Sequence, residues 1–389
     1  MKKLISILGS TGSIGLSTLK IIDKKKDYFK PYIFSANKNI KLINQQIKKY
    51  KPEYFVINDQ RVFNIIKEKY KKKNIVILNK FNSVKFKKKV DITVTAIPGL
   101  NGLMPTLFAI KNSKKILLAN KESVICGWDL IKKKGLKFKT KIVPIDSEHY
   151  SILKLIENVN FKSIRKIYLT ASGGPFLNYK ISKLKKIKPR DAIKHPKWKM
   201  GKKISVDSST LMNKMLELIE AQKLFNIPSE KLDIVIHPNS LVHAIIELNN
   251  GLIKFIYHET SMVIPIANAI FDGSLDIQNF LNKKNSFDQK KLIFQRVDKK
   301  KFPIIMIKNL LNKFPSSPVI INASNEILVD QFLMGKIPFL GISKIIMSVL
   351  KDRNYKKNAI KRAKNLNQII KLDKWAKEIT YTKIKKFYD

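Results

Sequence analysis

At 389 residues the chain can hold two or three domains with substantial cores, and 44% hydrophobic with 27% charged residues is ordinary for a globular protein. A net charge of +48 points first to nucleic acid or an acidic membrane, but only six of the 77 basic residues are Arg and the lysines run along the whole chain. Neither partner is therefore expected beyond non-specific polyanion binding, and the charge reads as compositional drift. The lone Cys126 excludes an intrachain disulfide and fits a reducing compartment. No apolar run reaches a membrane span, and the apolar start is too short for a signal peptide, so a cytoplasmic protein is expected.

From the N-terminus, short apolar runs at 4–8, 31–35, 54–57, 75–78, 92–95, 116–118 and 142–145 alternate with helical stretches. That spacing predicts βαβ units and a parallel, doubly wound sheet. The first turn, Gly9-Ser10-Thr11-Gly12-Ser13-Ile14-Gly15, precedes an amphipathic helix through Ile22. Glycines there let backbone approach a pyrophosphate, and the helix N-terminus favours its charge. The second strand ends in Ser35-Ala36-Asn37-Lys38-Asn39, where an NAD enzyme usually carries an acid for the ribose 2′-hydroxyl. Lys38 suits a 2′-phosphate instead, so NADPH is the expected cofactor. The strand ends at 96–99 and 118–123 are further ligand-binding loops, while Cys126 falls on an apolar helix face and reads as a packed thiol.

At the end of the seventh run, Pro144-Ile145-Asp146-Ser147-Glu148-His149, two carboxylates two residues apart on an extended strand face the same way. Like charges aimed at one spot need a cation between them, which predicts a divalent-metal site. After a strand near 164–170 come Ala171-Ser172-Gly173-Gly174-Pro175-Phe176 and an aperiodic stretch holding His195, Trp198, Met200 and Gly201, read as a lid over 172–202. A helix is expected from Ser205 to about Phe225, capped by Ser or Asp, with Asn213, Lys214 and Glu217 in its first turns. Glu217 supplies a third carboxylate, and three such oxygens suit Mg2+ or Mn2+, with Co2+ a further option, rather than zinc. Strands at 233–237, 243–248 and 252–257 complete this part; 276–298 reads as a linker and 299–389 as a helical bundle.

GSTGSIG, LLANKES, PIDSEH, ASGGPF, HPKWKMGKKISVDSST and NKMLE, in this order, together with Asn322-Ala323-Ser324-Asn325-Glu326, resemble the 1-deoxy-D-xylulose 5-phosphate reductoisomerase family over essentially the whole chain. The resemblance implies an α/β protein with a Rossmann-like NADPH domain over 1–146, an α+β catalytic domain with a mobile lid over 147–275 and a C-terminal helical domain. It implies NADPH- and metal-dependent rearrangement and reduction of a small phosphorylated sugar. Asp146, Glu148 and Glu217 would hold the metal. Lys121 and Ser147 would contact the substrate's oxygenated end, and Ser172, Ser208, Asn213 and Lys214 its phosphate. His195 and Trp198 belong to the lid, Met200 and Gly201 lie beside the nicotinamide, and His237 matches a second histidine of the family. Thr11, Gly12, Ser13 and Ile14 would hold the pyrophosphate, with Asn37, Lys38, Asn39, Asn120 and Glu122 around the cofactor. A homodimer follows by resemblance only.

Two positions depart from the family's glycines, Met215 and Asn37, and Lys197 and Lys199 add charge to the lid. Two other readings compete. Another NADP enzyme, such as a semialdehyde dehydrogenase, requires a reactive cysteine or another catalytic set, and the only cysteine, Cys126, sits on an apolar face. A nucleic-acid-binding protein requires clustered Arg with interleaved aromatics.

Overall fold

The computed structural model describes residues 2–194, 198, 201–280 and 291–388. Its first part repeats one unit: β1 (Lys3–Leu8), α1 (Ser13–Lys24), β2 (Phe29–Ala36), α2 (Ile40–Tyr50), β3 (Tyr54–Ile57), α3 (Gln60–Lys69), β4 (Val76–Leu78), β5 (Val90–Thr95), α4 (Leu103–Asn112), β6 (Ser113–Leu118), α5 (Lys121–Lys137), β7 (Lys141–Pro144) and α6 (Ser147–Ile156). Every apolar run expected to be a strand is one. All seven pair in parallel in the order β4-β3-β2-β1-β5-β6-β7. Their interiors are almost wholly buried, the reason they read as continuous apolar runs rather than alternating ones. The order reverses direction beside β1, so the loops after β1, β5 and β6 flank the crevice where such sheets bind ligands.

Further along lie β8 (Ile164–Ala171), α7 (Ile181–Leu184), α8 (Pro189–Ala192), α9 (Lys202–Thr210), α10 (Met212–Phe225), β9 (Leu232–Ile236), β10 (Val242–Leu248), β11 (Ile253–Tyr257) and α11 (Val263–Phe271). The four strands form a sheet in the order β11-β10-β8-β9, antiparallel except where β8 meets β9. The C-terminal part is helical, as expected: a 3-10 stretch (Pro303–Leu310), then α12 (Ser317–Leu333), α13 (Gly341–Leu350), α14 (Tyr355–Ala359) and α15 (Leu366–Tyr388). α12 is its central element, buried along nearly its whole length, polar Ser317, Asn322, Ser324 and Asn325 included.

The described residues group into two compact units: those within 1–123, 129–150 and 261–284, and those within 124–128, 151–260 and 285–389. The first unit reclaims α11 from far along the chain. Lys115 Nζ donates to Ala269 O at 2.9 Å, and Phe271 meets the rings of Tyr28 and Phe29.

Two local expectations change. The single helix expected over 205–225 is two, broken at Leu211, which sits in the left-handed region at φ 62°. The first of them starts at Lys202 with Gly201 as N-cap, so Ser205 to Ser208 lie in its body and do not cap it. The strand expected to carry Asp146 and Glu148 ends at Pro144, and α6 begins at Ser147. The two carboxylates therefore leave a strand-to-helix turn, not an extended strand with alternating faces.

Candidate active site

In the first unit, the turn after β1 is shaped by two glycines. Gly9 has φ 91°, and a Cβ there would stand 2.7 Å from Ala96 O; a Cβ on Gly15 would stand 2.5 Å from Gly9 O and Ser10 O. Neither position admits a side chain, so α1 starts hard against the sheet. Buried polar groups lock the turn: Ser35 Oγ accepts from Gly9 N at 3.0 Å, and Ser10 Oγ donates to Gln46 Oε1 at 2.6 Å. Gly12, the N-cap of α1, and Ser13 are exposed, and no side chain caps the helix. Thr11 and Ile14 beside them are half-buried. That leaves first-turn N–H groups of α1 as donors for an anion.

Asn37, Lys38 and Asn39 are all exposed at the end of β2. Asn37 is not among the positive-φ residues, so nothing in its backbone requires glycine. Asn39 caps α2, accepting from Leu42 N at 3.0 Å.

Asn120 has a structural task that the sequence did not reveal. Its Oδ1 accepts from Ser123 N at 2.6 Å and caps α5, while its Nδ2 donates to Ile97 O and to Gly99 O at 3.2 Å. One buried amide thus ties the loop after β5 to the loop after β6. Glu122 Oε2 lies 3.4 Å from the same Nδ2, and Cys126 is buried, the packed thiol expected of it.

The structure brings Lys121, Asp146, Ser147 and Glu148 together. Lys121 Nζ stands 3.1 Å from Asp146 Oδ2, Ser147 N donates to Asp146 Oδ1 at 3.0 Å, and Ser147 Oγ donates to Glu148 Oε2 at 2.6 Å. His149, a residue that sequence reasoning passed over, is fully buried with Nδ1 3.7 Å from Asp146 Oδ2. Its three-residue offset from Asp146 was the available signal, one turn along a helix that was not foreseen.

In the second unit, Glu217 is 1% exposed. On the first turns of α10 its carboxylate accepts from Asn213 Nδ2 and pairs with Lys214 Nζ at 2.5 Å. The expected shared face of Asn213 and Glu217 is present. Met215 is wholly buried, so the side chain that stands in place of a glycine enters the core. The loop that carries Ser172 meets the helix that carries Ser208 at Gly174. Gly174, at φ 65°, would place a Cβ 2.9 Å from Ser209 Cα and 3.0 Å from Ser208 O, so the 172–174 loop lies directly on α9. Gly174 N donates to Ser172 Oγ at 3.1 Å.

Trp198 is half-buried and meets the His243 ring edge-on at 6.2 Å; Gly201 is exposed. His195 and Met200, with Lys197 and Lys199, lie outside the described residues. His237 is fully buried after β9, its Nδ1 2.8 Å from Ile293 O and its ring stacked on Phe294. Burial pushes its pKa down, against the opposing pull of the Ile293 carbonyl, so its neutral form is favoured.

Comparison with known proteins bears on this arrangement. Family models match over residues 5–127 (1-deoxy-D-xylulose 5-phosphate reductoisomerase), 142–225 (the C-terminal domain of that enzyme) and 258–379 (DXP reductoisomerase C-terminal domain). The 1-deoxy-D-xylulose 5-phosphate reductoisomerase of Pelagibacter ubique (strain HTCC1062) is 42% identical, covering 96% of this chain and 97% of its own. That of Thermodesulfovibrio yellowstonii is 37% identical over 99% of this chain and 100% of its own. A crystal structure of DOX-P reductoisomerase in complex with NADPH, fosmidomycin and magnesium aligns over 100% of both chains, with a TM-score of 0.92 at 31% identity. The Zymomonas mobilis enzyme in complex with NADPH aligns over 99% of both, with a TM-score of 0.87 at 31% identity.

Proposed function

The chain belongs to the 1-deoxy-D-xylulose 5-phosphate reductoisomerase family, and from that premise we propose how its own residues divide the work. The protein is an NADP-dependent oxidoreductase. It rearranges and reduces 1-deoxy-D-xylulose 5-phosphate to 2-C-methyl-D-erythritol 4-phosphate with NADPH and a divalent metal, the first committed step of non-mevalonate isoprenoid precursor biosynthesis.

In our reading Asp146, Glu148 and Glu217 hold the metal. The donors suit it: all are carboxylates, the choice of a hard cation such as Mg2+ or Mn2+. Each carboxylate offers about four lone-pair positions, so the bonds to Ser147, Lys121, Asn213 and Lys214 leave capacity for an ion. The turn from Gly9 to Gly15 suits a pyrophosphate for the reason given above, and Thr11, Gly12, Ser13 and Ile14 line it. When bound, the ion polarises the substrate's carbonyl and hydroxyl oxygens and NADPH supplies the hydride.

The chain's own residues bind and orient. Lys121 and Ser147, held on Asp146 and Glu148, meet the substrate's oxygenated end. Ser172, Ser208, Asn213 and Lys214 grip its phosphate with hydroxyl, amide and ammonium donors. His195 and Trp198 cover it and exclude water, Met200 and Gly201 flank the nicotinamide, and Asn37, Lys38, Asn39, Asn120 and Glu122 surround the rest of the cofactor. One observation carries the assignment: Asn213, Lys214 and Glu217 share the first turns of α10, so metal ligand and phosphate grip are fixed by one rigid element. We read 1–146 as the cofactor domain, 147–275 as the catalytic domain and 299–389 as a helical support.

Loss of NADPH absorbance with 1-deoxy-D-xylulose 5-phosphate, with and without Mg2+, tests the function. Metal-dependent oxidation that NADH does not support is expected; metal-independent oxidation would sink the carboxylate assignment.

We also propose a homodimer through β11. Among the described residues this edge strand pairs only with β10, yet Leu252, Ile253 and Phe255 are 57%, 62% and 45% exposed. An apolar edge of this kind is a site for strand-strand or face association. Among the described residues no helix is long and apolar enough to cross a membrane. With the single buried thiol, this supports a cytoplasmic placement.

A further inference from the structure

We infer that Asp207 and Asn325 are positioning residues for the substrate's phosphate, so that helix α12 of the C-terminal part sets phosphate affinity; this rests on the reading of Ser208 as a phosphate ligand. The motif 322–326 has no role in the chemistry above, yet Asn322, Ser324 and Asn325 are buried. Asn325 Nδ2 donates to Asp207 Oδ1 at 2.7 Å, and Lys203 Nζ pairs with Asp207 Oδ2 at 2.9 Å, one turn earlier on α9. Asp207 is 1% exposed and Asn325 fully buried.

The orientation of the amide is dictated. Asn325 Oδ1 has no hydrogen-bond partner among the described residues, and turning the amide over would set that oxygen against a carboxylate. An acceptor left unsatisfied in this way is unfavourable, so the bond to Asp207 holds the residue in place against a local penalty.

α9 needs such an anchor. Its sequence, Lys202-Lys203-Ile204-Ser205-Val206-Asp207-Ser208-Ser209-Thr210, is poor in helix formers, and Ser205, Ser209 and Thr210 turn their hydroxyls back onto the backbone. It ends in the left-handed break at Leu211. What fixes Ser208 is thus external: the 172–174 loop lies on its carbonyl, and α12 holds its neighbour Asp207. Charge matters as well. A phosphate at Ser208 lies next to a buried carboxylate, and Lys203 with Asn325 offsets that carboxylate's repulsion.

The test is a set of variants of the full-length enzyme, each assayed for its sugar-phosphate KM, its NADPH KM, kcat and melting temperature, with 1-deoxy-D-xylulose 5-phosphate as the substrate. Asn325→Asp sets two carboxylates face to face. It is expected to raise the sugar-phosphate KM about tenfold, with kcat and the NADPH KM within about threefold. Asp207→Asn with Asn325→Asp restores a donor–acceptor pair and is expected to bring the sugar-phosphate KM back to within about threefold of the parent. In a Ser208→Ala background, Asn325→Asp should add less than about twofold, because its action passes through Ser208. Should Asn325→Asp not fold, Asn325→Ala is expected to show the same pattern at about threefold. An unchanged sugar-phosphate KM in folded Asn325 variants, or the full effect in the Ser208→Ala background, overturns the inference. If Ser208→Ala alone leaves that KM unchanged, the phosphate reading has failed first and the inference falls with it.

Discussion

Glu217, which we propose as a metal ligand, is a buried carboxylate whose neighbours fix its position. Its carboxylate is held by Asn213 and Lys214, so its geometry is set before a metal arrives. Glu217→Gln keeps the shape and removes the charge. We expect at least about tenfold more Mg2+ to be needed for half-maximal activity, with NADPH affinity by fluorescence titration within about twofold. An unchanged metal requirement would reject Glu217 as a ligand. Gly174 carries a different constraint. Gly174→Ala adds a left-handed penalty of roughly 1–2 kcal/mol and a Cβ pressed against Ser209 Cα. The 172–174 loop has to lift off α9, so a lower melting temperature and a raised sugar-phosphate KM should appear together; a normal KM would separate that loop from the phosphate grip. At this scale the sequence disclosed residue types well: the three carboxylates and the Asn213-Lys214 pair stood out by charge and spacing. It did not disclose Asp207–Asn325 or the amide of Asn120, because their partners lie at separations with no period to betray them.

At the scale of elements, the seven parallel strands were legible because buried strands between amphipathic helices leave a strong apolar rhythm. The break at Leu211 was not, since a leucine at positive φ has no local sequence signature and persists only because tertiary packing holds it. The start of α6 was missed for a related reason: Pro144-Ile145 prolongs the apolar run past the strand's last residue. The last helix, α15, is secured by an ion pair that also makes stability depend on pH. Burial alone would raise the pKa of Asp352, but the Lys383 ammonium at 2.7 Å, the Asn354 N–H and the Arg353 charge outweigh it and hold the carboxyl below its ordinary value. A depressed carboxyl contributes stability above its unfolded pKa of about 3.9 and loses it as pH falls through the lower folded value. Asp352→Asn should therefore be less stable at pH 7 by about 1–2 kcal/mol, with the difference shrinking below about pH 4. Urea midpoints at the two pH values decide this; a constant gap would assign the loss to packing.

For the whole molecule, two facts oppose each other. An apolar edge at β11 favours association of two copies, while +48 on each copy disfavours it. Added salt should then tighten the proposed dimer, since screening weakens repulsion and leaves apolar contact intact. Ile253→Lys with Phe255→Lys should shift sedimentation to the monomer at moderate salt; a persistent dimer would place the interface elsewhere. The division of the first unit has a separate consequence, for biosynthesis. Its sheet and α1 are emitted from the ribosome by Tyr150, yet α11, which packs against them, begins at Val263. The interval of 113 residues (263 − 150) corresponds to roughly 6–23 s of translation. During that time the nascent chain carries an uncovered apolar face beside dense positive charge, on a ribosome built largely of RNA. The newborn protein therefore depends on whatever shields that face until α11 emerges, and a pause in translation between these two points would raise its losses to aggregation.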